Sequence, residues 1–215
     1  NFPNVGLCQK DIREVGVQDL AENNDDVDIL SAGFPCQSFS QAGANKGFAD
    51  ERGKLFFEIT RLASLLVAPP KVLILENVPF LSVFNGGERL AVVLNHLRTQ
   101  GYWIGKANCH ILNSKGIVGT PQNRERLYII ACHSKYFKKN PFGEINFVKS
   151  DEKKLWDLID RSKKRVDPKL YLAEDSKYHW MINESIEKFG DNLLHQLRRT
   201  EVRVCPPGTC PTLTA

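Results

Sequence analysis

Residues 28–43 read DILSAGFPCQSFSQAG. The apolar run of Val27, Ile29 and Leu30 predicts a buried strand. It leads into Gly33-Phe34-Pro35-Cys36-Gln37, a stiff turn with a thiol at its tip. Ser31, Gln37, Ser38, Ser40 and Gln41 surround that thiol with uncharged polar groups suited to touching a ligand. A cysteine just past a strand end is either a nucleophile or a small buried hydrophobe. The residues that follow it decide between the two.

Residues 44–54, ANKGFADERGK, form a Gly-rich charged loop of a length that tends to be functional. Leu55, Phe56, Ile59, Leu62, Ala63 and Leu66 then fall at helical spacing, and Pro69-Pro70 ends that helix. Residues 71–75, KVLIL, predict a strand covered on both faces, as in a parallel sheet, finishing in Glu76-Asn77-Val78-Pro79. A second helix follows the Asn85-Gly86-Gly87 turn, with Leu90, Val93, Leu94 and Leu97 on its apolar side and Gly101 as its stop. Strand, helix, strand, helix is the rhythm of an α/β sheet.

Residues 102–112 are strand-like, 113–122 a Gly-containing loop, and 126–132 another strand. So short a connection predicts antiparallel pairing. If the first of these strands runs with the parallel ones, Gln122, Arg124 and Arg126 sit at the sheet's carboxyl edge beside Cys36 and Glu76. Upstream, the stretch from Cys8 to Ile12 reads as a strand end and a turn. Asp11 there is either a turn residue or a ligand contact at a strand's carboxyl end.

The 215 residues suffice for one sizeable domain and an appendage. Hydrophobic residues at 42% and charged residues at 25% are ordinary for a globular chain, and a net charge of +4 permits a polyanionic partner without demanding one. No apolar run approaches a membrane span, and no signal peptide is evident. The six cysteines are scattered without a C-x-x-C pair, so neither a disulfide framework nor a metal site is expected and a reducing cytoplasm is the default. From about residue 150 the texture changes to charged, then to a mix of aromatic, polar and Pro/Gly residues. This divides the chain into residues 1–150 and a linker with a further element over 151–215.

Cys36, Glu76 and the Gln122/Arg124/Arg126 group form a chemically coherent set. A thiolate adds to an electron-poor carbon. A carboxyl group in a desolvated pocket donates to a ring nitrogen, and a guanidinium binds a carbonyl oxygen. Together they suit a pyrimidine: sulfur at C6 of cytosine, Glu76 at N3 and the exocyclic amine, an arginine at O2. Attack at C6 turns C5 into a carbon nucleophile that takes a methyl group. Each residue alone has a bland reading: a capping glutamate, an Asx turn at Asn77, a solvated strand edge at Arg124 and Arg126.

GFPCQSFS around Cys36, Glu76-Asn77-Val78 and Gln122-x-Arg124-x-Arg126 resemble, in order and spacing, the motifs of the DNA (cytosine-5) methyltransferases, bacterial modification type. The resemblance is strong over residues 1–132 and weak beyond. It implies a Rossmann-like sheet with an antiparallel strand, S-adenosylmethionine as cofactor, double-stranded DNA as partner and a flipped-out target cytosine. It also implies a cytoplasmic location and a place in a restriction-modification system. Carried across, Cys36 is the nucleophile, Glu76 holds cytosine N3, Arg126 contacts the base, and Arg124 lies near the backbone and catalytic loop. Asp11, Ile12, Pro35 and Leu55 line the cofactor pocket. Gln37, Ser40, Asn77 and Gln122 fall with the DNA contacts, within or beside a loop over 37–53 that closes on DNA. The family's first cofactor motif falls upstream of Asn1 and its late motifs beyond Ala215. The resemblance therefore implies the central portion of such an enzyme and the start of its target-recognition region, with the remaining segments of the enzyme, as a separate chain, among the expected partners. An RNA cytosine methyltransferase, a non-catalytic fragment or subunit, and a cysteine enzyme of free pyrimidine nucleotides are the rival readings.

Overall fold

The apolar run before Glu76 becomes a strand because its β-branched and leucine side chains alternate across a pleat. In the computed structural model, which describes residues 8–20, 27–35, 54–142, 147–158 and 171–211, the elements follow in chain order. They are β1 (Ile29–Gly33), α1 (Leu55–Leu65), β2 (Val72–Asn77), α2 (Phe80–Val83), α3 (Glu88–Thr99), β3 (Tyr102–Trp103), β4 (Cys109–Asn113) and α4 (Ser114–Val118). Then come β5 (Gln122–Asn123), β6 (Glu125–His133), α5 (Leu155–Leu158), α6 (Lys177–Phe189), β7 (His195–Leu197), β8 (Val202–Val204) and β9 (Cys210–Pro211). They fall into two compact units, residues 1–112 with 126–146, and residues 113–125 with 147–215.

In the first unit the sheet order is β1-β2-β6-β3, with β4 also paired to β6. β1 runs parallel to β2, while β6 is antiparallel to both β2 and β3. The antiparallel strand expected over 126–132 is therefore present. The strand-like stretch 102–112 is broken in two by a turn at Lys106–Asn108. Asn108 fixes that turn: it accepts from the Gly105 amide and donates to the Ile130 carbonyl on β6.

β2 is asymmetric. Leu73, Leu75 and Asn77 are buried, while Val72, Ile74 and Glu76 are half-buried, so only one face is fully covered. β1 departs further from the buried strand that its sequence predicts. Ile29 is 58% exposed, because β1 has one neighbouring strand among the described residues. Phe56, Ile59 and Ala63 of α1 and Leu90, Val93, Leu94 and Leu97 of α3 join Leu73, Leu75, Leu127 and Ile129 in one core. Each fully buried leucine or phenylalanine there contributes about 1.5–3 kcal/mol. Thr60 and His96 join the two helices at 2.8 Å, inside a cluster with Phe56 and Phe57. Arg61 on α1 donates to the Ile12 and Val15 carbonyls, which anchors the turn at Asp11–Glu14.

In the second unit Asn113 caps α4, and Gly119, at φ 69°, ends it. Ser114 donates to the Gln122 and Arg124 carbonyls, closing the segment on itself, and β5 pairs parallel with β9. α6 begins at a Ser176 cap and stops at Gly190. β7 and β8 form an antiparallel hairpin. His195 secures it to α6, with Nδ1 2.7 Å from Ser185 Oγ and Nε2 2.8 Å from the Gly190 carbonyl. Among the described residues no helix is long and apolar enough to cross a membrane.

Candidate active site

Strand register decides which side chains meet. Gly33 lies opposite Glu76, which in turn lies opposite Tyr128. Residues two apart on a strand share a face, so Arg126 stands diagonally across from Glu76, within reach of a long side chain. Arg126 Nε is 2.8 Å from Glu76 Oε1, with the two side chains 20% and 34% exposed. Gly33 completes the row by leaving room. A Cβ there would lie 3.3 Å from Glu76 Oε2, so any side chain at 33 presses on the carboxylate.

The next position on each strand turns to the opposite, buried face. Asn77 is 2% exposed; its Nδ2 donates to the Phe34 carbonyl at 3.2 Å and its Oδ1 accepts from the Val78 amide at 2.8 Å. Asn77, which the resemblance groups with the DNA contacts, spends its side-chain amide inside the protein, where it ties the end of β1 to the end of β2, because the pleat turns residue 77 inward when residue 76 faces outward. Pro35 is half-buried just beyond that tie. Cys36, Gln37 and Ser40, with the rest of 37–53, lie outside the described residues.

The other expected residues divide between the units. Asp11 caps the turn at Ile12–Glu14 and is held by Arg13, whose Nε and backbone N–H both donate to Asp11 Oδ1 at 2.9 and 3.0 Å. These hydrogen bonds hold its exposed carboxyl well below the usual carboxylate range. Ile12 is half-buried against the core, and Leu55 is half-buried at the start of α1. Gln122 and Arg124 belong to the second unit, Gln122 half-buried on β5. Within the first unit the structure thus joins Glu76 to Arg126, and Asn77 to the residues leading into Cys36. Gly33 and Tyr128 were not singled out from sequence. The strand register places both opposite Glu76.

The arrangement offers an outward carboxylate and a guanidinium on one sheet face, with Cys36 three residues after Gly33 in sequence. That suits a planar heterocycle with both hydrogen-bond donors and acceptors. Among the described residues no group of three or more His, Cys, Asp or Glu side chains could hold a metal ion.

A family model described as C-5 cytosine-specific DNA methylase matches residues 1–203. The type II methyltransferase M.Bsp6I of Bacillus sp. is 38% identical over 100% of this chain and 64% of its own length. M.NlaX of Neisseria lactamica is 42% identical over 92% of this chain and 66% of its own. The chain thus spans just under two thirds of the length of these relatives. Among solved structures, the Entamoeba histolytica methyltransferase EhMeth gives a TM-score of 0.56 at 21% identity, over 77% of this chain and 48% of that one. A Spodoptera frugiperda DNMT2 gives 0.53 at 20% identity, over 80% and 50%. These two likenesses establish the fold.

Proposed function

This chain belongs to the C-5 cytosine-specific DNA methylase family, and we propose that it is the catalytic core of a DNA (cytosine-5) methyltransferase of the restriction-modification type. The observation that carries the reading is the 2.8 Å Arg126–Glu76 pair beside side-chain-free Gly33, three residues before Cys36. In this reading residues 1–150 form the catalytic domain and 151–215 a linker and part of a target-recognition region. Double-stranded DNA is the partner, and the setting is the cytoplasm of the host cell. Gln122, Arg124, Gln37 and Ser40 fall with the catalytic and DNA-contacting loops.

The cytosine is flipped into the site, since C6 is unreachable within the stack. The Cys36 thiolate adds to C6, forming a C–S bond and moving the electron pair of the C5–C6 double bond onto C5. Glu76 hydrogen-bonds N3 and the exocyclic amine, and Arg126 contacts O2, so the charge that builds on the ring is met by groups already in place. Once C5 is substituted, loss of its proton and expulsion of the Cys36 sulfur restore the ring. S-adenosylmethionine, when bound, supplies the electrophilic methyl group. Asp11, Ile12, Pro35 and Leu55 fit an adenosyl group: one carboxylate acceptor for an exocyclic amine and three half-buried apolar side chains. Asp11 would accept from the amine, while Ile12, Pro35 and Leu55 would exclude water.

The test is methyl transfer from labelled S-adenosylmethionine into unmethylated duplex DNA, with Cys36→Ala and Glu76→Gln in parallel. Loss of transfer with Cys36→Ala, and a fall of about 100-fold or more with Glu76→Gln, is expected. Transfer that survives Cys36→Ala would remove the thiol from the mechanism.

A further inference from the structure

The β7–β8 hairpin divides its side chains between two faces. His195 meets Ser185 of α6, and Val202 shares a hollow with Ser185 and Trp180 of the same helix. Gln196, Arg198, Arg203 and Cys205 alternate with these and line a separate cavity of about 230 Å³, closed by Asn123 and Thr209. Gln196 and Arg203 are direct cross-strand partners.

Asn123 and Thr209 are hydrogen-bonded within the protein, while three other polar side chains of this cavity are not. Arg198 and Arg203 are exposed, and among the described residues their side chains make no hydrogen bond or ion pair. Gln196 Oε1 is buried and has no hydrogen-bond partner. Buried polar atoms are paired in the great majority of folded proteins, so the orphaned Gln196 acceptor points to a ligand, and the exposed guanidinium donors beside it are placed to meet the same ligand. That ligand must offer acceptors to the arginines and a donor to the glutamine. A phosphodiester has acceptors only and would leave Gln196 Oε1 unpaired. The major-groove edge of a G·C pair has both: guanine N7 and O6 accept, and the cytosine N4 amine donates.

We infer that Arg198, Arg203 and Gln196 read the major-groove edge of a G·C base pair in the DNA target. The inference rests on the reading of this chain as a DNA methyltransferase. A guanidinium grips guanine O6 and N7 bidentately, and Gln196 Oε1 accepts from cytosine N4. The second guanidinium neutralises charge at the mouth of the cavity. The alternation of faces explains the assembly: a hairpin one residue out of register would turn all of these groups toward α6.

The test is selection of bound duplexes by the full chain from a pool with randomised base pairs, for wild type, R203A, R198A, Q196A and R203K. Thermal unfolding verifies that each variant is folded. The expected result is that wild type prefers G·C at one position. Preference there falls about ten-fold in R203A or R198A and falls in Q196A, while preference elsewhere is kept. R203K, which keeps the charge but not the fork, behaves like R203A if Arg203 is the one on guanine. Weakening that is equal across all sequences, with a shallower salt dependence, would place the arginines on phosphates and overturn the inference. So would unchanged selection in all variants, or the absence of any selected sequence for wild type. The methyl-transfer assay is separate: selection without transfer would leave this site standing and overturn the catalytic reading instead.

Discussion

Asn77→Ala probes the brace that holds the turn leading to Cys36. The substitution deletes two hydrogen bonds from a residue 2% exposed, the 3.2 Å bond to the Phe34 carbonyl and the 2.8 Å bond from the Val78 amide. A buried partner left unsatisfied costs about 1–3 kcal/mol. Phe34 is itself buried and Val78 half-buried, so water reaches the Val78 amide more readily than the Phe34 carbonyl. The expected loss is therefore about 2–4 kcal/mol, a large share of the roughly 5–15 kcal/mol of a typical domain. With a urea slope of about 1–3 kcal/mol per molar, the midpoint falls by about 0.7–4 M. Asn77→Asp keeps the acceptor for Val78 but sets a carboxylate oxygen against the Phe34 carbonyl, and is at least as damaging. Urea unfolding followed by circular dichroism gives the stability. Transfer kinetics show whether the brace also positions the site: kcat should fall more than KM rises, since the turn rather than a binding surface is loosened. An Asn77→Ala midpoint within about 0.3 M of wild type would refute the brace, since the predicted loss would then be at least about twice too large.

Three further outcomes follow from the same geometry. Gly33→Ala places a Cβ 3.3 Å from Glu76 Oε2, so the carboxylate must shift; transfer should drop about ten-fold while thermal stability stays within about 1 kcal/mol, and unchanged kinetics would count against Glu76. Gly119→Ala demands both a left-handed φ of 69° and room now filled by the Asp151 carbonyl. It should destabilise the second unit by about 2 kcal/mol or more, read as early loss of protection by hydrogen exchange over residues 113–125. Burial lowers the pKa of His96, His110 and His133 from 6.5, so the unfolded chain binds more protons than the folded one below that value. Stability from these groups is complete above about pH 6.5 and is lost as pH falls below it; denaturation curves between pH 7.5 and 5 should show this, and a flat profile would contradict it.

The elements most legible in the sequence were those whose spacing is enforced by one large core. Leu55 to Ala63 and Leu90 to Leu97 mark their helices because each buries a stripe, and the Val72–Leu75 run marks β2 because one of its faces is sealed. α6 was missed, although its Ser176 cap, its Gly190 stop and the spacing of Tyr178, Met181, Ile182, Ser185, Ile186 and Phe189 were all present. Its stripe is interrupted by Ser185 and His179, and the polar pair Ser185–His195 does work that an apolar contact does elsewhere. The hairpin strands of three residues are too short for any period to declare itself. The placement of Asn77 was hidden for another reason. Composition says that an asparagine after a strand turns the chain or meets a ligand, and only the parity of the pleat says which way it faces.

That parity ties the candidate site to the fold. Glu76 and Arg126 are fifty residues apart and meet because β6 runs antiparallel to β2 in a register that sets Tyr128 against Glu76. Arg126 lies on one side of β6 and its neighbour Glu125 on the other, so a slip by one residue would carry Glu125 toward Glu76 and bring two carboxylates together. The buried side of the same strands forbids that slip, since it would also push Leu127, Ile129 and Ala131 out of the core and draw Tyr128 and Ile130 in. At roughly 25 cal/mol per Å² of apolar surface, exposing three such residues costs several kcal/mol, more than the surface ion pair itself contributes. The pairing of charges at the sheet's edge is therefore dictated from beneath. The core fixes the register, the register fixes which face each residue presents, and the charged pair occupies the place that the hydrophobic pattern leaves for it.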